Sequence, residues 1–355
     1  MALIKLCHIL FNESDNCVNV IRILFVDFSK AFDLINHNTL SDKFDQYEFP
    51  LWLKTWSLMF LNDRTQYVRI FNNESSIRVN NAGAPQGTRA GGNDFKLLIN
   101  DLLFDGHCFK YVDDVTVTTV SADPYDDAMQ SAVDNLKCWS LANKCIINGK
   151  KTKEMILHFS KRFDKGTIPS LVLDDSIIGR VEEFKLLGVV IRSDLSWCSH
   201  VKYMITKASR RIFVLTAMVR SGMNRTDLLI VYSSLVRSVL EYASPVWHCG
   251  LSQTQSQEIE KVQRRCFKII FPSLSYREAL IDSGYELLSA RRERASRELF
   301  EQIKNPLHIL NDLLTPRVNN DGCIRTRDSY PYVIPRQKTN RLSKSLIAFG
   351  VLRKW

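Results

Sequence analysis

Among its nine cysteines this chain has no Cys-x-x-Cys pair, so its spacing encodes neither a zinc knuckle nor a paired disulfide framework. They fall singly at 7, 17, 108, 138, 145, 198, 249, 266 and 323, and His248 beside Cys249 lacks a second half. Packing roles in a reducing, intracellular setting are expected. No apolar run approaches the roughly 18 residues of a membrane span, which argues against a membrane protein. No small-residue cleavage site follows the opening MALIKLCHILF, which argues against a secretory signal. Internal repeats and low-complexity tracts are absent too. What remains is ordinary globular material: 45% hydrophobic and 24% charged residues over 355 positions, enough for two or three domains.

The charge is distributed unevenly. Residues 1–195 carry 22 Lys/Arg against 25 Asp/Glu, a net of −3, whereas residues 196–355 carry 26 against 13, a net of +13. A strongly basic half suits a surface that follows a polyanion, because each phosphate contact releases condensed counterions. The same residues would also serve to solubilise exposed helices.

Along the chain, IRILFV (21–26) reads as a buried strand, and the stretch to about Lys54 has helical spacing in Phe32, Ile35, Leu40 and Phe44. Residues 66–80 alternate around an Asn-Asn turn, the pattern of a β-hairpin. A Gly/Pro cluster at Gly83, Pro85 and Gly87 precedes a helical run through Leu97, Leu98 and Leu102. A hairpin around 109–119, a helix over 124–143 and short strands near 155–159, 171–173 and 184–191 follow. After Trp197 the texture turns helical, with runs over about 201–219, 225–243, 253–270 and 286–304. A boundary near 195 therefore separates a mixed α/β module from a helical, basic one.

Two local anomalies carry chemistry. Asp27 ends an apolar strand, where a carboxylate is costly unless something pairs with it. Asp113 and Asp114 adjoin in YVDD (111–114), and neighbouring carboxylates repel and resist ionisation. A divalent cation relieves both, and oxygen-only ligation points to Mg²⁺, with Mn²⁺ an alternative. Two aspartate sources so placed fit two-metal phosphoryl transfer. Standing alone, a DD pair is most often the composition of a turn or a helix cap.

The ordered blocks resemble the reverse transcriptases of non-LTR, jockey-like retrotransposons. FVDFSKAFDLINH (25–37) is similar to motif A, GAPQGTRAGGNDFKLLINDL (83–102) to motif B and YVDD to motif C. INGKKTKEMILHF (147–159) is similar to motif D, and FKLLGVVI (184–191) to motif E, the primer grip. The likeness runs on through LVRSVLEYASPVWHCGLS and IEKVQRRCFKII in the basic half. The SKAFD and INDL blocks favour this lineage over a group II intron maturase or a telomerase.

The resemblance implies an α+β fold: a palm with a small antiparallel sheet and flanking helices over 1–195, with residual fingers. A helical thumb over 196–272 and a helical, loop-rich extension over 273–355 would follow. It implies Asp27, Asp113 and Asp114 as metal ligands, and Lys151, in the N-x-x-K-T pattern, as an aid to pyrophosphate departure. Phe32 would be a steric gate against a ribose 2′-hydroxyl. Gln86 and Gly87 would lie under the incoming nucleotide, with Tyr111 also at the substrate, and Leu187 and Gly188 would form the primer grip. Arg210, Arg211, Arg264, Arg265 and Lys268 would hold the phosphates of an RNA–DNA hybrid. On spacing alone Phe32 also fits a core helix position, Gly87 a plain turn, Lys151 a solvated loop, and each cation an ordinary surface charge.

The implied activity is extension of a DNA primer 3′-hydroxyl with dNTPs on an RNA template, without a membrane partner. Work at chromosomal DNA in the nucleus is expected, with a cytoplasmic ribonucleoprotein as the alternative. Asp27 lies only 26 residues from Met1, so a truncated copy with most of its fingers missing is expected. Many family members also have Gly-Pro where this chain has Gly91-Gly92. A catalytically inactive nucleic-acid-binding remnant is therefore the competing reading.

Overall fold

The strand expected at 21–26 forms as β1 (Val20–Val26), and every one of its residues is buried. The computed structural model describes residues 1–80, 82–160, 164–316 and 332–355. Cys323 and the middle of the expected C-terminal extension lie outside these.

The described elements run in order from α1 (Ala2–Asp15) through β1 to α2 (His37–Gln46) and α3 (Leu51–Leu61). Four short strands follow: β2 (Arg64–Gln66), β3 (Arg69–Ile70), β4 (Asn73–Glu74) and β5 (Arg78–Asn80). Then come α4 (Arg89–Ile99), β6 (His107–Tyr111), β7 (Asp114–Ser121), α5 (Ala128–Ala142) and β8 (Lys153–Leu157). Short strands β9 (Val172–Leu173), β10 (Ser176–Ile177) and β11 (Gly179–Arg180) lead to the hairpin β12 (Glu183–Leu186) and β13 (Val189–Arg192). The rest is helical: α6 (Cys198–Arg220), α7 (Arg225–Val231), a π-helical turn (Tyr232–Arg237), α8 (Ser238–Leu240), α9 (Ser244–Trp247), α10 (Gln253–Ile270), α11 (Tyr276–Ser283), α12 (Leu288–Ile303) and α13 (Leu346–Leu352).

By its contacts the chain divides into two units: 20–156 with 160–181, and 1–19 with 157–159 and 182–355. The division falls at 181/182 rather than near 195, so the β12–β13 hairpin belongs with the helices that follow it.

The first unit is built on a five-stranded sheet in the order β11-β8-β1-β7-β6. The expected antiparallel pairing holds for β1 with β7 and for β6 with β7, while the edge pair β8 and β11 is parallel. Leu24, Val26, Phe28, Phe95, Leu98, Val115, Val117, Val133 and Leu136 share one apolar core between sheet and helices. A buried ion cluster crosses the strands. Arg22 on β1 donates through Nε to Glu154 on β8 at 2.7 Å, and Arg180 on β11 donates to the other carboxylate oxygen at 2.8 Å. Glu154 is fully buried, and a carboxylate is stable there only because two guanidinium groups satisfy it.

Three sequence expectations shift. Residues 29–36 are not helical: Phe28 bridges Ile147, the Ser29 amide donates to Ile146 O at 2.7 Å, and Lys30 is left-handed at φ 49°. These ties to a distant loop override local helical spacing, so the helix starts only at His37. The 66–80 hairpin turns one residue earlier than expected, at Phe71–Asn72, because Ile70 pairs with Asn73. Residues 184–191 are a hairpin rather than a single strand.

In the second unit α6 and α10 pack along each other, and the expected runs at 253–270 and 286–304 appear as α10 and α12. The expected helix over 225–243 is broken into α7, the π-helical turn and α8. Ser252 caps α10 in a capping box with Gln255, and Ser275 caps α11 in another with Glu278. The helix α1 is held by the C-terminal segment: the Asp15 carboxylate accepts from the backbone amides of Lys338 and Thr339 and from the Thr339 hydroxyl.

Candidate nucleotidyl-transfer site

The β1–β7 register ends with Val26 paired to Val115, so Asp27 leaves β1 at the end where β7 begins with Asp114, near enough for the two charges to interact. The β6–β7 hairpin pairs Tyr111 with Asp114, leaving Val112 and Asp113 as a two-residue turn. Thus two strand ends and one turn bring the three aspartates of the sequence reading together. Val112 has φ 57°, a left-handed conformation that a β-branched residue adopts only under constraint. Nothing in YVDD has the Asn-Gly chemistry of such a turn, so the strand pairing on either side imposes it.

The electrostatics follow from this convergence. The Asp114 carboxyl is held above the usual carboxylate range, first by partial burial and then by the charges of Asp113 and Asp27. Asp27 is 41% exposed, and Lys151 Nζ stands 4.0 Å from its carboxylate. Among the described residues no three His, Cys, Asp or Glu side chains form a ready-made metal cluster. The donors nevertheless suit a hard divalent cation: all are carboxylate oxygens, and their mutual repulsion is what such an ion removes.

The loop after β1 is fixed from two sides. The Asp27 amide donates to Thr152 Oγ1 at 3.3 Å, and the Asn148 amide donates to Asp27 O at 2.7 Å. Asn148 Oδ1 also accepts from the Lys151 amide at 3.2 Å, closing the turn that carries the lysine. The Gly83–Gly87 loop closes the other side. The Gly83 amide donates to Ile35 O, the Ala84 amide to Phe32 O, and His37 Nε2 to Gly83 O at 2.9 Å. Gly83 has φ 81°, and a Cβ there would lie 2.7 Å from Asp33 O, so only glycine fits. Gln86 reaches Asp33 at 3.2 Å. Gly87, at φ 80°, borders open space. Phe32 is not on a helix. Its ring, in the turn after β1, packs on Phe95 of α4 at 5.5 Å. Gly91, an apparent departure at the sequence level, is required: a Cβ would meet Pro85 O at 2.5 Å.

Beside the turn, a pocket of about 400 Å³ is lined by Lys96, Ile99, Asn100, Lys110, Tyr111 and Val112. Lys110 Nζ donates to Ile99 O and Asn100 O at 2.9 Å, anchoring β6 to the end of α4.

The second unit holds the other expected residues. Leu187 and Gly188 form the turn of the β12–β13 hairpin. Arg210 and Arg211 lie on α6, and Arg264, Arg265 and Lys268 on α10. They are not equivalent. Arg211 donates to Leu235 O, Lys268 to Pro272 O, and Arg264 stacks on Tyr276 at 5.0 Å. The side chains of Arg210 and Arg265 are exposed and make no hydrogen bond or ion pair with another described residue. Arg265 lines a groove of about 710 Å³ between α6 and α10, with Lys202 and Lys261 on its sides.

Sequence reasoning did not single out His37, Asp33 or Glu154 as positioning residues. His37 closes the A-like block, but nothing local points to Gly83 as its partner. Asn148 and Thr152 were visible only as a pattern around Lys151.

A family model described as reverse transcriptase (RNA-dependent DNA polymerase) matches residues 10–191, just over half of the chain. Similar proteins include the RNA-directed DNA polymerase from mobile element jockey of Drosophila melanogaster, 25% identical over 239 residues. A probable RNA-directed DNA polymerase from transposon BS of the same species is 24% identical over 279 residues. The matches cover 63% and 74% of this chain but 25% and 30% of those proteins, so the chain spans about a quarter of their length. Among solved structures, a telomerase from Candida tropicalis in complex with a telomeric RNA fragment is similar over 84% of this chain and 45% of its own, at 14% identity and a TM-score of 0.41.

Proposed function

The chain belongs to the reverse transcriptase (RNA-dependent DNA polymerase) family, and from that premise we propose that it carries the site for RNA-templated DNA synthesis of a jockey-like non-LTR retrotransposon. The observation that carries this reading is the strand pairing that brings Asp27 at the end of β1 near Asp114 at the start of β7, with Asp113 in the β6–β7 turn just before it. Asp27, Asp113 and Asp114 would hold divalent metal, Mg²⁺ or Mn²⁺, which when bound would supply positive charge to activate a primer 3′-hydroxyl and to neutralise a departing pyrophosphate.

The chain's own residues supply position and selection. Phe32, backed by Phe95, would stand against a ribose 2′-hydroxyl and so favour deoxynucleotides. Gln86 and the open Gly87 would receive the nucleotide and template base, with Tyr111 also at the substrate. Lys151, on the same loop that fixes Asp27, would carry a proton or positive charge to the pyrophosphate. The Leu187–Gly188 turn would act as primer grip. Arg210 and Arg265, with no internal partner, are the stronger candidates for hybrid phosphates, and Arg211, Arg264 and Lys268 would act while keeping their internal contacts. RNA template, DNA primer and dNTPs are the implied partners, with work in the nucleus or in a cytoplasmic ribonucleoprotein.

The test is primer extension on an RNA template by the purified chain in Mg²⁺, beside Asp113→Asn. Extension by the wild type alone supports the reading. Silence from both, with salt-dependent hybrid binding retained, would leave a non-catalytic nucleic-acid-binding protein instead.

A further inference from the structure

We propose that Tyr242 is a positioning residue for the primer end, holding the Leu187–Gly188 turn in the geometry that receives the primer strand. The inference rests on the polymerase reading above and assigns a role to the LVRSVLEYASPVWHCGLS segment, which that reading leaves without one.

The turn needs outside support. Leu186 pairs with Val189, so Leu187 and Gly188 alone make the loop, and both are left-handed, at φ 46° and 83°. Such two-residue loops usually place Asn or Gly first, because those residues reach positive φ cheaply. Leucine has neither advantage. Tyr242 supplies what the turn lacks. Its hydroxyl donates to Leu187 O at 3.0 Å, and a Cβ added at Gly188 would lie 2.9 Å from its ring. The ring therefore occupies the space that a side chain at 188 would take.

Tyr242 is itself held rigidly. Trp247 Nε1 donates to Tyr242 O at 3.0 Å, and Ala243 follows in a left-handed conformation at φ 51°. Its neighbour Glu241 accepts from Arg291 Nε and Nη2 at 2.6 and 3.2 Å, tying the segment to α12. Yet Tyr242 is 53% exposed, so it contributes little to the core, while its hydroxyl and its ring both meet the turn. On the same hairpin Lys185 lies over the Tyr203 ring at 4.7 Å, with Lys207 on that ring at 5.9 Å. A pair of ammonium groups there suits the backbone of a nucleic-acid strand entering the turn.

The experiment compares binding of the full chain to two RNA–DNA hybrids of equal length, one with a recessed DNA 3′ end and one blunt, without dNTPs. Wild type is expected to prefer the recessed end. Tyr242→Phe, which keeps the ring and loses the hydroxyl bond, should cut that preference about fivefold while leaving blunt-hybrid affinity unchanged. Tyr242→Ala should abolish it, with the thermal midpoint showing that the variant is folded. In extension assays the KM for primer should rise while kcat at saturating primer holds. Absence of any end preference in wild type overturns the proposal, as does full preference in Tyr242→Phe or an equal loss on both hybrids. A wild type that prefers the recessed end but never extends it in Mg²⁺ removes the polymerase reading, and the binding comparison still decides the role of Tyr242.

Discussion

Asp114 carries an electrostatic penalty in the folded chain, because partial burial first, and then the charges of Asp113 and Asp27, oppose its ionisation. Such repulsion weakens the metal-free protein and would be relieved by the divalent cation proposed for this site. Asp114→Asn should therefore raise the thermal midpoint of the metal-free chain while lowering primer extension by about a hundredfold or more, the scale of losing one preorganised charge. An unchanged midpoint with lost extension would mean that the three carboxylates do not interact as described. These aspartates were legible in the sequence because each is locally anomalous, an acid ending an apolar strand or two acids side by side. His37 and Glu154 were not, since their partners lie 46 and 132 residues away. The need for glycine at 91 was equally hidden, because it comes from the approach of Pro85 O.

Among the elements, β1 shows how a sequence pattern can be right in kind and incomplete in detail. Its apolar run predicted a buried strand, yet Arg22 within it is also buried and is answered by Glu154 across the sheet. Glu154→Ala would leave Arg22 and Arg180 without their shared carboxylate, so it should destabilise the first unit by about 3–5 kcal/mol, read from the urea midpoint. A loss under about 1 kcal/mol, the scale of a surface pair, would contradict the burial of this cluster. The helices α10 and α12 were legible within a few residues because 3.6-residue periodicity and serine caps are local signals. The turn after β1 was not, since bonds to residues 146 and 147 override its helical spacing. The hairpin around 109–119 was legible and turns at 112–113, whereas the two-residue turn at 187–188 was not, because leucine at its first position lacks the usual turn chemistry.

For the whole molecule, acid should act unevenly on the two units. His8, His200 and His248 all belong to the unit containing residues 182–355, and burial first holds each at about 4 against an ordinary 6.5. Unfolding returns them to water, so below 6.5 the unfolded state binds more protons than the folded one. Their stabilisation is present above 6.5 and is lost as pH falls toward 4. Hydrogen exchange should show that unit opening more easily at pH 5 than at pH 7.5; equal protection at both would refute the burial of these rings. The charge split of −3 over residues 1–195 against +13 over 196–355 suits the proposed roles, in which the acidic part would hold metal and the basic part the hybrid. The most direct measurement is a Mn²⁺ titration of the whole chain by electron paramagnetic resonance, paired with RNA–DNA hybrid affinity across a salt series. The account predicts that Asp27→Asn with Asp113→Asn loses the ion and keeps salt-dependent hybrid binding, whereas Arg210→Ala with Arg265→Ala weakens the hybrid and keeps the ion. Undiminished Mn²⁺ binding by the aspartate variant would contradict it.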